Sequence, residues 1–220
     1  MALNVTGGAF LTETLDIISQ SLTIPVLIIL LIIFVLAVIY LGSVIAEYGS
    51  RKKVPVEQIE QIIYDINNAS SIENVNDIIV NSGLPKSDKQ ILSKIANSTT
   101  LTKKSREAIA RKLVDYEEEK IDNKLEKTDI ITRIGPTLGL MGTLIPLGPG
   151  LAALGSGDIN TLASSLTVAF DTTVVGIGAG ALAYCEGKVR RKWYDKHLSD
   201  LDSLSDAILD YLEQHSDYNG

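Results

Sequence analysis

The chain has 220 residues, with 20 Lys and Arg against 27 Asp and Glu, a net charge of −7 and a positive mean hydropathy of +0.19. A sequence that is 21% charged and still apolar on average must segregate its apolar residues, as membrane proteins with water-exposed parts do. One cysteine, Cys185, excludes an internal disulfide and a CxxC metal site, two histidines, His197 and His215, leave little for a zinc centre, and an isoelectric point near 4.9 argues against nucleic acid as a partner.

Residues 1–21 are expected to form an outer N-terminal segment. Within it, 9–20 reads either as a short amphipathic helix carrying Phe10, Leu11, Leu15 and Ile18 or as a frayed end. No charge occurs between Asp16 and Glu47, a gap of 30 residues whose centre, Ile24 to Leu41, is apolar on every face. A helix of that character, about 20 residues long, suits a bilayer core of roughly 30 Å. The first transmembrane helix is placed at 22–46.

Residues 47–133 are expected to be a helical insert. Val56, Ile59, Ile62, Ile63 and Ile66 recur at helical spacing, and Ile72, Val75, Ile78 and Ile79, then Ile91, Leu92 and Ile95, continue the pattern. The stretches Asn67 to Ser71 and Ser82 to Pro85 read as breaks between helices. From Thr102 to about Arg133 a charged helix without Gly or Pro should run on into the second membrane helix.

That second span, with an outer hairpin, is placed at 134–157, a further 24 residues without charge and rich in Gly and Pro. Pro146 and Pro149 are expected to break the helix near its outer end, with the hairpin lying at about Gly148–Asp158. The third span is placed at 158–187, interrupted by one charge, Asp171. Both spans carry small residues, which let helix backbones approach closely in lipid, so they are expected inside an assembly and the first helix toward lipid. Residues 188–220 should be a helical tail. There Leu201, Leu204, Ile208 and Tyr211 make a heptad-like stripe, for a local bundle holding subunits together or a docking platform for a regulator.

Charge sets the topology. Residues 1–50 and 134–187 hold no Lys or Arg, 51–133 hold 15 and 188–196 hold five. The basic flanks Arg51-Lys52-Lys53 and Lys188 to Lys192 belong inside, which puts the N-terminus outside and the insert and C-terminus in the cytoplasm. With no basic residue before the first span, a cleavable signal peptide is not expected.

Chemistry has little to stand on. Gly139-Leu140-Met141-Gly142-Thr143 lacks the Gly-Lys-Ser/Thr of a phosphate loop, and no serine has a nucleophile-elbow context. No catalytic residue, metal site or cofactor is expected, and the chain is not expected to be an enzyme. In the second span Pro136, Gly139, Gly142 and Thr143 share a broad face; in the third, Ala169, Thr173, Gly176 and Gly180 form one narrow stripe. The threonine hydroxyls either bond back to the carbonyl four residues earlier or line a pore in an oligomer. Asp171 is about 200° around the helix from Thr173, so the two cannot point at one spot from one subunit. An ionisable residue at that depth needs another chain, a water-filled pocket or a proton.

Gly135-Pro136-Thr137-Leu138-Gly139-Leu140-Met141-Gly142-Thr143 and Val168-Ala169-Phe170-Asp171-Thr172-Thr173-Val174-Val175-Gly176 resemble the second- and third-helix signatures of the MotA/TolQ/ExbB proton-channel family. The resemblance covers roughly residues 130–190. It implies an all-α integral membrane protein with three transmembrane helices, five copies of which form a ring in the cell membrane around a single-span partner of the ExbD/TolR/MotB kind. H⁺, or Na⁺ in some members, would pass between ring and partner and drive mechanical work. By motif position, Thr143 and Thr173 would line the ion path. Read from their own chemistry and not from the resemblance, Gly139, Gly142, Gly176 and Gly180 would permit close helix packing, and Asp171 and Thr172 are candidates to contact an ion or a partner. Val168 departs from the glutamate of TolQ- and ExbB-type members, and Asp171 replaces a residue that is usually uncharged. The alternative is a membrane scaffold that conducts nothing and assembles partners through its helical insert and tail. A solute transporter is disfavoured, since three spans show no inverted repeat.

Overall fold

The computed structural model describes residues 8–50 and 54–216. Among them it forms six α-helices and no strand: α1 (Gly8–Ser50), α2 (Val56–Asn67), α3 (Ile72–Asn81), α4 (Lys86–Ala96), α5 (Lys103–Gly155) and α6 (Ile159–Ser216). The basic residues Arg51, Lys52 and Lys53, and the start of the outer segment at 1–7, lie outside the described residues. Among the described residues, α1, α5 and α6 are long and apolar enough to cross a membrane.

The described residues of Met1–Gly49 and Glu126–Val189 form one compact unit, and those of Ser50–Leu125 and Arg190–Gly220 form another. In the first, the apolar unit, α1 buries Val26, Leu30, Ile33 and Ala37, a stripe stepping by 4, 3 and 4. Ile33 and Ala37 pack with Ile131 of α5 and with Ala179 and Ala183 of α6. The other faces of α1, with Ile24, Ile28, Leu31, Ile32 and Ile39, stay exposed. Such a surface suits lipid and is unsuited to water.

The second, charged unit packs a larger aliphatic core. Ile59, Ile62 and Ile66 of α2, Val75 and Ile79 of α3, and Ile91, Leu92 and Ile95 of α4 meet Leu201, Leu204, Ile208 and Tyr211 of α6. The amphipathic spacing of each helix dictates which residues meet. Ser71 caps α3 by accepting the Asn74 N–H at 3.2 Å, while Pro55 and Pro85 stand in extended backbone ahead of α2 and α4. The breaks between these helices fall at 68–71 and 82–85. The α6 stripe packs against α2–α4 of its own chain, so it serves an internal bundle.

Two expectations are corrected. Pro146 and Pro149 do not break α5, which runs through both, and through Pro136, to Gly155. Proline removes one amide donor, but the φ it imposes is close to the helical one, and the remaining amides continue the ladder. The turn is therefore shorter than the expected hairpin. The Asp158 N–H closes on the Ala153 carbonyl (2.9 Å) and the Gly157 N–H on that of Leu154 (3.0 Å). Gly157 supplies the left-handed residue (φ 84°) that this C-terminal cap requires. Asp158 then caps α6 by accepting the Thr161 N–H at 3.1 Å. The second correction concerns 9–20, which is not a separate helix. From Gly8 onward it is the first part of α1, which continues through Pro25.

Candidate ion pathway

Within the apolar unit α5 and α6 run antiparallel and cross on their smallest residues. A Cβ placed on Gly176 would come within 2.7 Å of both the Gly135 carbonyl oxygen and the Gly139 Cα. One on Gly142 would lie 2.7 Å from the Thr172 Cβ, and one on Gly180 would lie 2.7 Å from the Pro136 Cδ. No side chain fits there, because the obstacles at Gly176 are backbone atoms that cannot rotate away. The contact continues at Gly150, where a Cβ would meet the Ser165 Cβ at 2.8 Å. Small residues at three- and four-residue spacing are how helices associate in lipid, where apolar burial alone supplies no preference for a helix over an acyl chain.

The threonines sit around this crossing. Thr172 is in it: 5% exposed, packed on Gly142, with its hydroxyl 2.9 Å from the carbonyls of Val168 and Ala169. Thr173 is half-buried, its Cα beside Gly139, and its hydroxyl donates to the Ala169 carbonyl at 3.0 Å. Thr143 lies one turn beyond Gly139, is also half-buried, and donates to the Leu140 carbonyl at 2.6 Å. Every one of these hydroxyls satisfies its proton on its own helix. Each oxygen keeps lone-pair capacity toward a cation or a water.

Asp171 is elsewhere. It is exposed on the side of α6 that also exposes Phe170, Val174 and Ile177. The structure thus brings Thr172, Gly139, Gly142, Gly176 and Gly180 to one crossing, with Thr143 and Thr173 at its edge, and leaves Asp171 outside it. Outside the spans, the Asp158 carboxyl is held below its ordinary value by hydrogen bonds from the Thr161 side chain and backbone. Among the described residues no three His, Cys, Asp or Glu side chains gather where a metal could sit. Gly135 takes a larger part than its motif position indicated, and the packing of Thr128, buried in α5, toward Gly187 was not anticipated. Gly135 opens the second-helix motif itself, whereas Thr128 and Gly187 lie beyond the motifs on the two helices.

Three long apolar helices, two of them locked by a glycine-lined crossing with hydroxyls at its edge, make this an all-α membrane protein. The family model described as the MotA/TolQ/ExbB proton channel family matches residues 72–202, and the chain belongs to that family. That is a class of transport subunits rather than of enzymes. No curated protein matches the chain significantly.

Proposed function

We propose that the chain is the channel subunit of a proton- or sodium-driven membrane motor, a homopentamer around a single-span partner, with its N-terminus outside and its C-terminus in the cytoplasm. The observation that carries this proposal is the α5–α6 crossing. Glycines bring the two backbones together and leave Thr143 and Thr173 half-buried at its edge, with oxygen lone pairs in otherwise apolar surroundings. Oxygens so placed can accept from a proton-carrying water or help strip water from a cation. The exposed apolar side chains of α5 and α6, Leu140, Leu144, Phe170 and Val174 among them, favour surroundings of lipid or further chains. Asp171, on the outer side of α6, is the group proposed to meet an ion or a partner, because a carboxylate at membrane depth needs water or an opposite charge. Thr172 stands beside it and holds that stretch of α6 against α5. The driving force suffices for mechanical work: one charge crossing 100 mV releases about 2.3 kcal/mol.

The test is ion flux into proteoliposomes holding the chain and its partner. Thr173→Val keeps the shape of the side chain and deletes the oxygen. A lost hydrogen bond to a charged group is worth about 1.5–3 kcal/mol, so flux should fall at least about tenfold while the oligomer still assembles. Undiminished flux in that variant refutes the pore assignment. An assembled wild-type complex that passes no ions points instead to the scaffold.

A further inference from the structure

Asp88, in the first turn of α4, is only 3% exposed. Its Oδ1 accepts the Ser87 hydroxyl at 3.0 Å and lies 3.5 Å from Nε2 of His197 on α6. Two further carboxylates bear on it: Glu117 of α5, 7% exposed and paired with Lys120 at 3.1 Å, and Asp200 of α6. A carboxylate so enclosed by negative neighbours has one cationic relief among the groups acting on it, and that relief is an imidazole, the side chain that changes charge between pH 5 and 8. The contact joins α4 to α6 beside the aliphatic core that Ile91, Leu92 and Ile95 share with Leu201 and Leu204.

We propose that Asp88 and His197 form a proton-operated latch that fastens α4 to α6 when the pair takes up one proton. Without that proton the pair is a buried carboxylate beside a neutral ring, repelled by Glu117 and Asp200. With one more proton it becomes either an ion pair or a neutral hydrogen-bonded pair, and both hold the helices together. The direction is fixed by burial, which pushes the Asp88 carboxyl up, with Glu117 and Asp200 adding to it against His197 and Ser87. A carboxyl raised by folding contributes stability that is present at low pH and is lost as pH rises through its folded value. In a proton-driven machine with this unit inside the cell, the latch would tighten as the compartment receiving protons acidifies. That role rests on the proposed topology; the latch itself rests only on the geometry of this unit.

Hydrogen exchange of the full chain in nanodiscs, at pH 5.8 and 7.8 and corrected for the intrinsic rate, reads the latch on the amides of α4. Wild type should exchange more slowly at pH 5.8 than at pH 7.8, the direction that proton uptake by the folded pair requires. Asp88→Asn should remove this dependence. His197→Lys, a fixed cation, should protect α4 equally at both pH values, which simple packing would not do. The acidic residues Asp202, Asp206 and Asp210 remain in both variants and serve as the internal control. A wild-type chain without pH dependence, or a His197→Lys chain that keeps the wild-type dependence, overturns the proposal, and this second arm decides even if Asp88→Asn fails to fold. Thr173→Val should leave the latch intact, so failure of the pore assignment and failure of the latch are separable.

Discussion

The two units are held together by opposite means. The charged unit buries aliphatic side chains: Ile66, Val75, Ile79, Leu92, Ile95 and Ile208 are fully enclosed. The apolar unit buries fewer large side chains, Val26, Leu30, Ile33 and Ile131 among them, and none of these is fully enclosed. Its tightest residues are Ala37, Ala179 and Ala183, and its central contact is backbone on backbone at Gly135, Gly139 and Gly176. In water, removal of apolar area drives association. In lipid that term is absent between helices, and closeness of approach takes its place. The same chain therefore leaves Leu140, Leu144 and Phe170 exposed in one unit and encloses every leucine of the α6 stripe in the other.

The contrast breaks most severely at Gly176. In Gly176→Val a branched side chain would have to occupy space held by the Gly135 carbonyl and the Gly139 Cα. Overpacking of this kind typically costs 1–3 kcal/mol, and more against immobile backbone. The expected result is loss of assembled complex on gel filtration, with α4 exchange unchanged. Conversely, Leu204→Ala should cost about 2–5 kcal/mol in the charged unit through the cavity it leaves. It should appear as faster exchange across α2–α4, while the α5–α6 crossing, monitored by engineered cross-links, persists. A smaller effect is expected from Ser71→Ala, which removes the α3 cap and costs about 1 kcal/mol, seen as faster exchange of the first α3 amides. The smallest is Asp206→Asn. The Asp206 carboxyl is raised by partial desolvation and by Asp202 and Asp210 one turn to either side. Its ionisation therefore works against the fold as pH rises through the raised value, so the variant should melt slightly higher at pH 7 and no differently well below pH 4.

The all-helical architecture was legible because its signals are strong and local. Uncharged stretches mark α1 and the apolar parts of α5 and α6, and isoleucines at helical spacing mark α2 to α4. Continuity through Pro146 and Pro149 was not legible, because a proline's local cost does not reveal whether neighbouring amides can carry a helix past it. Small residues at 139, 142, 176 and 180 were visible as stripes. Which backbone each one meets depends on the antiparallel register of α5 on α6, and no single-helix periodicity contains that. The same holds for Thr172, which adjoins Thr173 in sequence yet lies inside the crossing, and for Asp88 and His197, which are far apart in the chain and meet only through tertiary packing.

The central claim is that Thr173 faces water in the assembled complex while its neighbour Val174, 71% exposed in the single chain, faces lipid or protein. Reactivity toward a membrane-impermeant thiol reagent tests it in a background where the one native cysteine is removed by Cys185→Ser. The Thr173→Cys complex should be labelled and the Val174→Cys complex should not. Labelling at position 174 with none at position 173 would contradict the account.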